Sequence, residues 1–148
     1  MKTLFYTREF PPYVYGGAGV HVEYLATELS KLMNVDVRCF GDQNSKKGSL
    51  TVKGFPFDNP IFDNSNDQLK AVFKTLSTGL HMNADAIDAD IVHCHTWYAH
   101  FAGIIAKLCY GIPLVITTHS LEPLRPWKRE QLGRGYDRLL ELNSSKPE

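Results

Sequence analysis

No stretch of this sequence comes near the roughly 18 consecutive apolar residues that a membrane-spanning helix needs. It also has no surplus of either charge, since 16 Lys plus Arg face 16 Asp plus Glu. The first absence argues against a helical membrane anchor, and the second removes any global attraction to nucleic acid or to an anionic bilayer. Cysteine is scarce: Cys39, Cys94 and Cys109 are odd in number and widely spaced, which is no disulfide framework. Cys39 and Cys94 fall in strand-like runs and Cys109 in a helix-like one, so all three are expected as small buried hydrophobes in a reducing, cytoplasmic setting. Met1-Lys2-Thr3 leads straight into a strand-like run, without the apolar region of a signal peptide. Two nucleotide-binding signatures are missing as well. Gly16, Gly17 and Gly19 do not make G-x-G-x-x-G, no acidic residue ends the second strand, and no Gly-Lys-Ser/Thr follows to make a P-loop. That argues against a dinucleotide-dependent dehydrogenase.

What is present is a soluble-type core, 43% hydrophobic and 22% charged, on 148 residues, enough for one domain. The chain alternates strand-like and helix-like periods. Residues 1–6 read as a first strand. From Gly19 the apolar residues Val22, Leu25, Ala26, Leu29 and Leu32 recur at helical spacing. Val35 to Phe40 alternates as a second strand, Gly41 to Gly48 is turn-like, and Ser49 to Phe55 alternates again. A helix capped by Asn66 or Asp67 runs to about Asn83, with Leu69, Val72, Phe73, Leu76 and Leu80 as its apolar face. Asp90 to His93 is a short strand. Thr96 caps the next helix, which carries Phe101, Ile104, Ile105 and Leu108 and stops at Gly111. Pro113 to Thr118 reads as a strand buried on both faces, and Pro126 to about Leu142 as a last helix. This order predicts an α/β, doubly wound, Rossmann-like and mainly parallel sheet with helices on both faces. Ligands of such sheets bind beyond the carboxyl ends of the strands.

Three motifs fall at predicted strand ends. Tyr15-Gly16-Gly17-Ala18-Gly19-Val20-His21 lies between a strand and a helix. Its glycines let backbone approach an anion while the helix's first N–H groups point at it; a tight turn would use the same glycines only for their backbone freedom. His93-Cys94-His95 contains good zinc ligands, but alternation sends neighbouring residues to opposite sides, so no metal is expected there. His93 reads as a buried strand histidine and His95 as the one that reaches the cleft. His119 ends the fifth predicted strand, either bonded to a neighbouring carbonyl or poised above the sheet edge. Trp97, Tyr98 and Trp127 offer flat faces for sugars, Tyr98 being the one read as structural. Glu9 either accepts hydrogen bonds from sugar hydroxyls or caps its own loop. Arg125, Lys128, Arg129, Arg134 and Arg138 form the one basic cluster, a phosphate site or simply a solvated helix face.

With those residues in hand, the chain resembles the N-terminal domain of a bacterial glycogen synthase or a close relative among the retaining GT-B glycosyltransferases. The carrying stretches are residues 7–22, Thr7-Arg8-Glu9 to His21-Val22; residues 90–97, Asp90-Ile91-Val92-His93-Cys94-His95-Thr96-Trp97; and residues 117–128, Thr117-Thr118-His119 to Trp127-Lys128. The resemblance covers roughly residues 1–136. It implies the N-terminal half of a two-domain GT-B enzyme that transfers glucose from ADP- or UDP-glucose to an α-glucan with retention, needing no metal or other cofactor. Gly16, Gly17 and Ala18 match the loop that approaches the donor phosphates and sugar. His119 matches the histidine near the reacting sugar and is the catalytic candidate. Glu9, Tyr15, His95, Thr96 and Trp97 fall where the acceptor and sugar are bound.

Two departures bear on the product. Many glycogen and starch synthases have Lys where this chain has Tyr15, and Asp where it has Thr96. Both move away from those synthases toward the broader group of related glucosyltransferases and leave the product open; a related synthase making a small glucosyl phosphate or a disaccharide, and from another class a non-catalytic carbohydrate- or nucleotide-binding fragment, are the alternatives. Residues 1–138 are expected as the acceptor-side domain and residues 139–148 as a divergent tail, with the nucleotide-binding C-terminal domain absent. The isolated chain is then expected to fold without transferring glucose, and to self-associate through the exposed cleft face at Tyr13, Tyr15, Trp97 and Trp127.

Overall fold

The computed structural model describes residues 1–120. Its elements are β1 (Lys2–Thr7), α1 (Gly17–Leu29), β2 (Asn34–Phe40), β3 (Asn44–Lys47), β4 (Leu50–Phe55), α2 (Asp67–Ala84), β5 (Ile91–His95), α3 (Trp97–Tyr110) and β6 (Leu114–Thr117), with a 3-10 turn at Pro60–Phe62. They form one six-stranded sheet in the order β3-β4-β2-β1-β5-β6. All pairings are parallel except β3 with β4. The chain winds from β1 outward through β2 to β4, then returns to lay β5 on the other side of β1. Winding therefore reverses between β1 and β5, which opens a crevice beyond their carboxyl ends.

Alternation along the strands builds a core on each face. Leu4, Tyr6, Val92 and Cys94 pack with Met82 of α2 and Ala99, Ala102 and Ala106 of α3. Phe5, Val35, Val37, Cys39 and Val52 pack with Val22 and Ala26 of α1 on the other. The doubly wound sheet with helices on both faces is thus as the sequence predicts.

The structure corrects several local expectations. Gly41 to Gly48 is not only a turn: it contains β3, whose four exposed residues carry no apolar alternation and pair antiparallel with β4. α1 ends at Leu29, so Leu32 lies outside it and is exposed. α2 has the expected span, and the Asn66 side chain accepts from the Gln68 N–H at 2.9 Å. Of its expected apolar face Val72 is buried, but the buried face is otherwise turned toward Thr75, Thr78, Gly79, Met82 and Asn83, and Leu80 is exposed. These polar residues tolerate burial because each has a partner. Thr75 and Thr78 donate to the Ala71 and Lys74 carbonyls at 2.8 and 3.0 Å, and Asn83 donates to the Gly79 and Ala102 carbonyls at 2.8 and 3.0 Å. α3 buries Ala99, Ala102, Gly103 and Ala106, while Leu108 and Cys109 are exposed. Small residues let it lie close, since a Cβ at Gly103 would stand 2.6 Å from a Leu114 methyl. β6 is an edge strand whose Val115 and Ile116 are 41% and 43% exposed, not a strand covered on both faces. The expected helix at 126–142, the basic cluster with Trp127 and the boundary at 138 lie outside the described residues.

Candidate active site

The glycine loop is held from below by Glu9. Its Oε2 accepts the Tyr15 and Gly16 N–H groups at 3.0 and 2.9 Å, and the residue is only 6% exposed. Of the two roles open to Glu9 in the sequence, the structure displays the loop cap, so its carboxylate is engaged by the protein's own amides. Gly19 is required by packing, because a Cβ there would lie 2.8 Å from Glu9 Cβ and Oε2 and 3.0 Å from Val14 Cγ1. Gly17 is different: nothing lies within 4 Å of a Cβ placed on it. The first bond back to the loop runs from the Val20 N–H to the Gly16 carbonyl at 3.4 Å. The amides of Gly17, Ala18 and Gly19 precede it and have no helical carbonyl to reach.

Three histidines from three elements meet beside this loop. His21 lies one turn into α1, His95 ends β5 and His119 follows β6. One ring nitrogen from each lies within 4.8 Å of the others. His95 Nδ1 and His119 Nε2 share a hydrogen bond of 3.1 Å, and the His21 ring stands 5.1 Å from that of His119, edge to face. His95 is completely buried, whereas His93 is half-buried and shares a 2.8 Å hydrogen bond with Thr117 Oγ1, the reverse of the burial expected for the pair. Burial, with smaller contributions from neighbouring imidazoles, lowers His95 from its ordinary 6.5 to about 3. Burial also lowers His93 and His119, with the Glu9 carboxylate opposing the shift at His119. His93, His95 and His119 are therefore neutral near pH 7, each able to donate and accept one hydrogen bond. The same neutral nitrogens are the ligand type that a zinc-class ion takes. The set that comes together is His21, His95 and His119, not the adjacent His93-Cys94-His95 of the sequence.

Beyond β5 the backbone turns sharply. Thr96 has φ 65° and His119 φ 49°, in the left-handed region that branched and bulky residues rarely adopt. Thr96 stands at the N-cap position of α3 as expected, but its side chain makes no capping bond and Oγ1 is buried without a hydrogen-bond partner. His95 Nε2 is buried and unpartnered as well. Trp97 and Tyr98 follow, with ring centroids 4.1 Å apart. Tyr15 projects from the glycine loop, 68% exposed.

The structure thus gathers the loop residues, His95, Thr96, Trp97 and His119 at one edge of the sheet, with Glu9 beneath them. His21 was not among the sequence candidates. Its signal was its position four residues after Gly17, on the same face of the helix start.

The doubly wound, mostly parallel sheet matches one half of a GT-B fold. The chain belongs to Glycosyltransferase Family 4, whose model matches residues 15–145. It is 48% identical over 136 residues to an alpha-maltose-1-phosphate synthase of Mycolicibacterium smegmatis, covering 92% of this chain and 33% of that protein. To a glycogen synthase of Mycobacterium tuberculosis it is 25% identical over 141 residues, covering 82% of this chain and 34% of that protein. Among solved structures it resembles a sucrose-phosphate synthase of Thermosynechococcus elongatus with a TM-score of 0.62, over 90% of this chain and 37% of that one, at 12% identity, a likeness of fold alone. The chain spans about a third of the length of the curated relatives it matches. Among the described residues no helix is long and apolar enough to cross a membrane.

Proposed function

We propose that this chain is the acceptor-side half of a retaining glucosyltransferase that moves glucose from ADP- or UDP-glucose to a glucose phosphate, yielding a glucosyl phosphate of the maltose-1-phosphate kind. The observation that carries the reading is the identity gradient, much steeper toward the maltose-phosphate synthase than toward glycogen synthase. The presence of Tyr15 and Thr96 in place of Lys and Asp accords with it. In this reading the free first-turn amides at Gly17, Ala18 and Gly19 receive the donor diphosphate. The helix field there favours the negative charge that grows on the leaving group. His119, with His95 behind it, hydrogen-bonds the sugar being transferred. Their neutrality matters, because an imidazolium would repel the positive charge that develops at the anomeric carbon. Trp97, Thr96 and Tyr15 line the acceptor, and Glu9 holds the loop rather than the ligand.

The test is a chimera in which this chain replaces the third of the Mycolicibacterium smegmatis synthase that it matches, supplied with nucleotide-glucose and either glucose 1-phosphate or glycogen. Glucosyl phosphate as the main product is expected. A folded chimera, with a cooperative melt, that extends only glycogen would overturn the reading.

A further inference from the structure

We infer that Arg8 forms a phosphate-binding subsite at the mouth of this cleft, recognising the phosphomonoester of an acceptor sugar; the inference rests on the proposed acceptor and gives its phosphate a partner. The two arginines among residues 1–120 are used in opposite ways. Arg38 spends its guanidinium on backbone: Nη1 donates to the Met82 and Asp85 carbonyls and Nη2 donates to the Ala86 carbonyl at 2.7 Å. Arg8, immediately after β1, makes no hydrogen bond or ion pair among the described residues. Aromatic rings hold it instead. Its guanidinium carbon lies 4.2 Å from the centroid of Tyr98, 5.5 Å from Tyr15 and 5.7 Å from Phe57.

Rings grip the faces of a guanidinium and leave its in-plane N–H donors free. Those donors form the fork that matches a phosphate's paired oxygens. A half-buried cation kept in place without a counter-ion among the described residues is therefore preorganised for an anion. Tyr98 lies in the first turn of α3, and Phe57 and Tyr98 both pack against the core on the α2–α3 face, whereas α1 packs through Val22 and Ala26 on the opposite face. Arg8 thus lies at the crevice mouth between the glycine loop, through Tyr15, and the start of α3, through Tyr98, and the comparison of glucose 1-phosphate with ADP decides which phosphate it serves.

The experiment measures binding of glucose 1-phosphate, glucose 6-phosphate, glucose, inorganic phosphate and ADP to the chain by calorimetry or by phosphorus NMR. It compares the wild type with Arg8→Gln, Arg8→Lys and Tyr98→Leu, each checked for a wild-type melt. Arg8→Gln is expected to weaken glucose 1-phosphate about 10- to 100-fold and to leave glucose unchanged. Arg8→Lys should recover only part of the loss, because a point charge lacks the fork. Tyr98→Leu, which keeps the charge and frees its position, should fall between. Unchanged glucose 1-phosphate affinity in Arg8→Gln would overturn the inference, as would equal losses for glucose and its phosphate, or no phosphate binding by the wild type at millimolar concentration. Loss of ADP alone would overturn it in favour of the donor. If both hexose phosphates bind equally and both need Arg8, the subsite stands and the glucose 1-phosphate acceptor reading falls. If glucose 1-phosphate is preferred but indifferent to Arg8, the reverse holds.

Discussion

At the amino ends of the central strands the charges are paired. Lys2 Nζ lies 2.8 Å from Asp36 and 3.8 Å from Asp88, and the Lys2 backbone N–H donates to Asp90 at 2.7 Å. At the carboxyl ends the pattern inverts. His95 Nε2 and Thr96 Oγ1 are buried without partners, Thr96 and His119 occupy left-handed backbone, and Arg8 has no counter-ion among the described residues. Each buried polar group left unbonded costs about 1–3 kcal/mol. Among the described residues, one end of the sheet is therefore closed by the chain's own charges, and the other leaves polar groups that a ligand could satisfy. In the proposed function, the sugar and phosphate groups of the ligands would satisfy them at the unfinished end.

The largest effect that would sharpen this contrast is expected from His119→Ala in the chimera. Loss of one well-placed contact in the transition state should lower kcat about 10²–10³-fold with little change in the apparent affinity for donor. Unchanged kinetics, or a melting loss large enough to account for the rate, would make His119 merely structural.

The two glycines provide a paired test. Gly19→Ala drives a methyl into Glu9 and Val14 and should destabilise the fold by about 1–3 kcal/mol. Gly17→Ala meets nothing and should leave stability within about 0.5 kcal/mol, while its methyl stands where a donor phosphate would approach. Urea unfolding of both variants, with ADP titrations of Gly17→Ala, checks the pair. Equal destabilisation would show that the loop is one packed unit with no open side.

Acidity should separate the two ends further. Burial lowers His95 from 6.5 to about 3 and His100 from 6.5 to about 4. The unfolded chain takes up these protons near its ordinary pKa while the folded chain refuses them. Stability is then fully present above about pH 6.5 and falls as pH drops toward 4. His100→Gln should flatten part of that slope in denaturant titrations between about pH 7 and 5, and an unaltered slope would count against neutral burial. The smallest effect belongs to the finished end: Lys2→Ala removes partly exposed ion pairs and should cost no more than about 1 kcal/mol, with no change in ligand binding.

How far the sequence revealed all this depends on the physical signal each part carries. The parallel core strands and the spans of α2 and α3 were legible because burial imposes a period on apolar residues. β3 was not, because an exposed hairpin strand of Asn, Ser and Lys has no such period. The helix faces were misread where burial is carried by small or self-bonded residues, such as Gly79, Thr75 and Thr78, which an apolar-side-chain reading passes over. The placement of the glycine loop and His119 at the carboxyl ends of strands was legible from the sequence. His21 and Arg8 were not, since their company, His95 and His119 in one case and Tyr98, Tyr15 and Phe57 in the other, is assembled only by the winding of the sheet. A carboxylate beside a glycine loop can serve either a sugar or the loop, and the Tyr15 and Gly16 amides at Glu9 Oε2 show the second role.

The central claim is that the carboxyl-end crevice, and not the paired amino end, is the ligand site. Titrating the isotopically labelled chain with ADP and with glucose 1-phosphate, and following amide and imidazole resonances, tests it most directly. The account predicts shifts confined to the Gly17–Gly19 amides and the neighbouring histidine rings with ADP, and to Arg8, residues 96–98 and the His95 and His119 rings with glucose 1-phosphate, with Lys2, Asp36 and Asp90 silent. Shifts centred on the amino end, or spread evenly over the sheet with none at the three histidines, would contradict it.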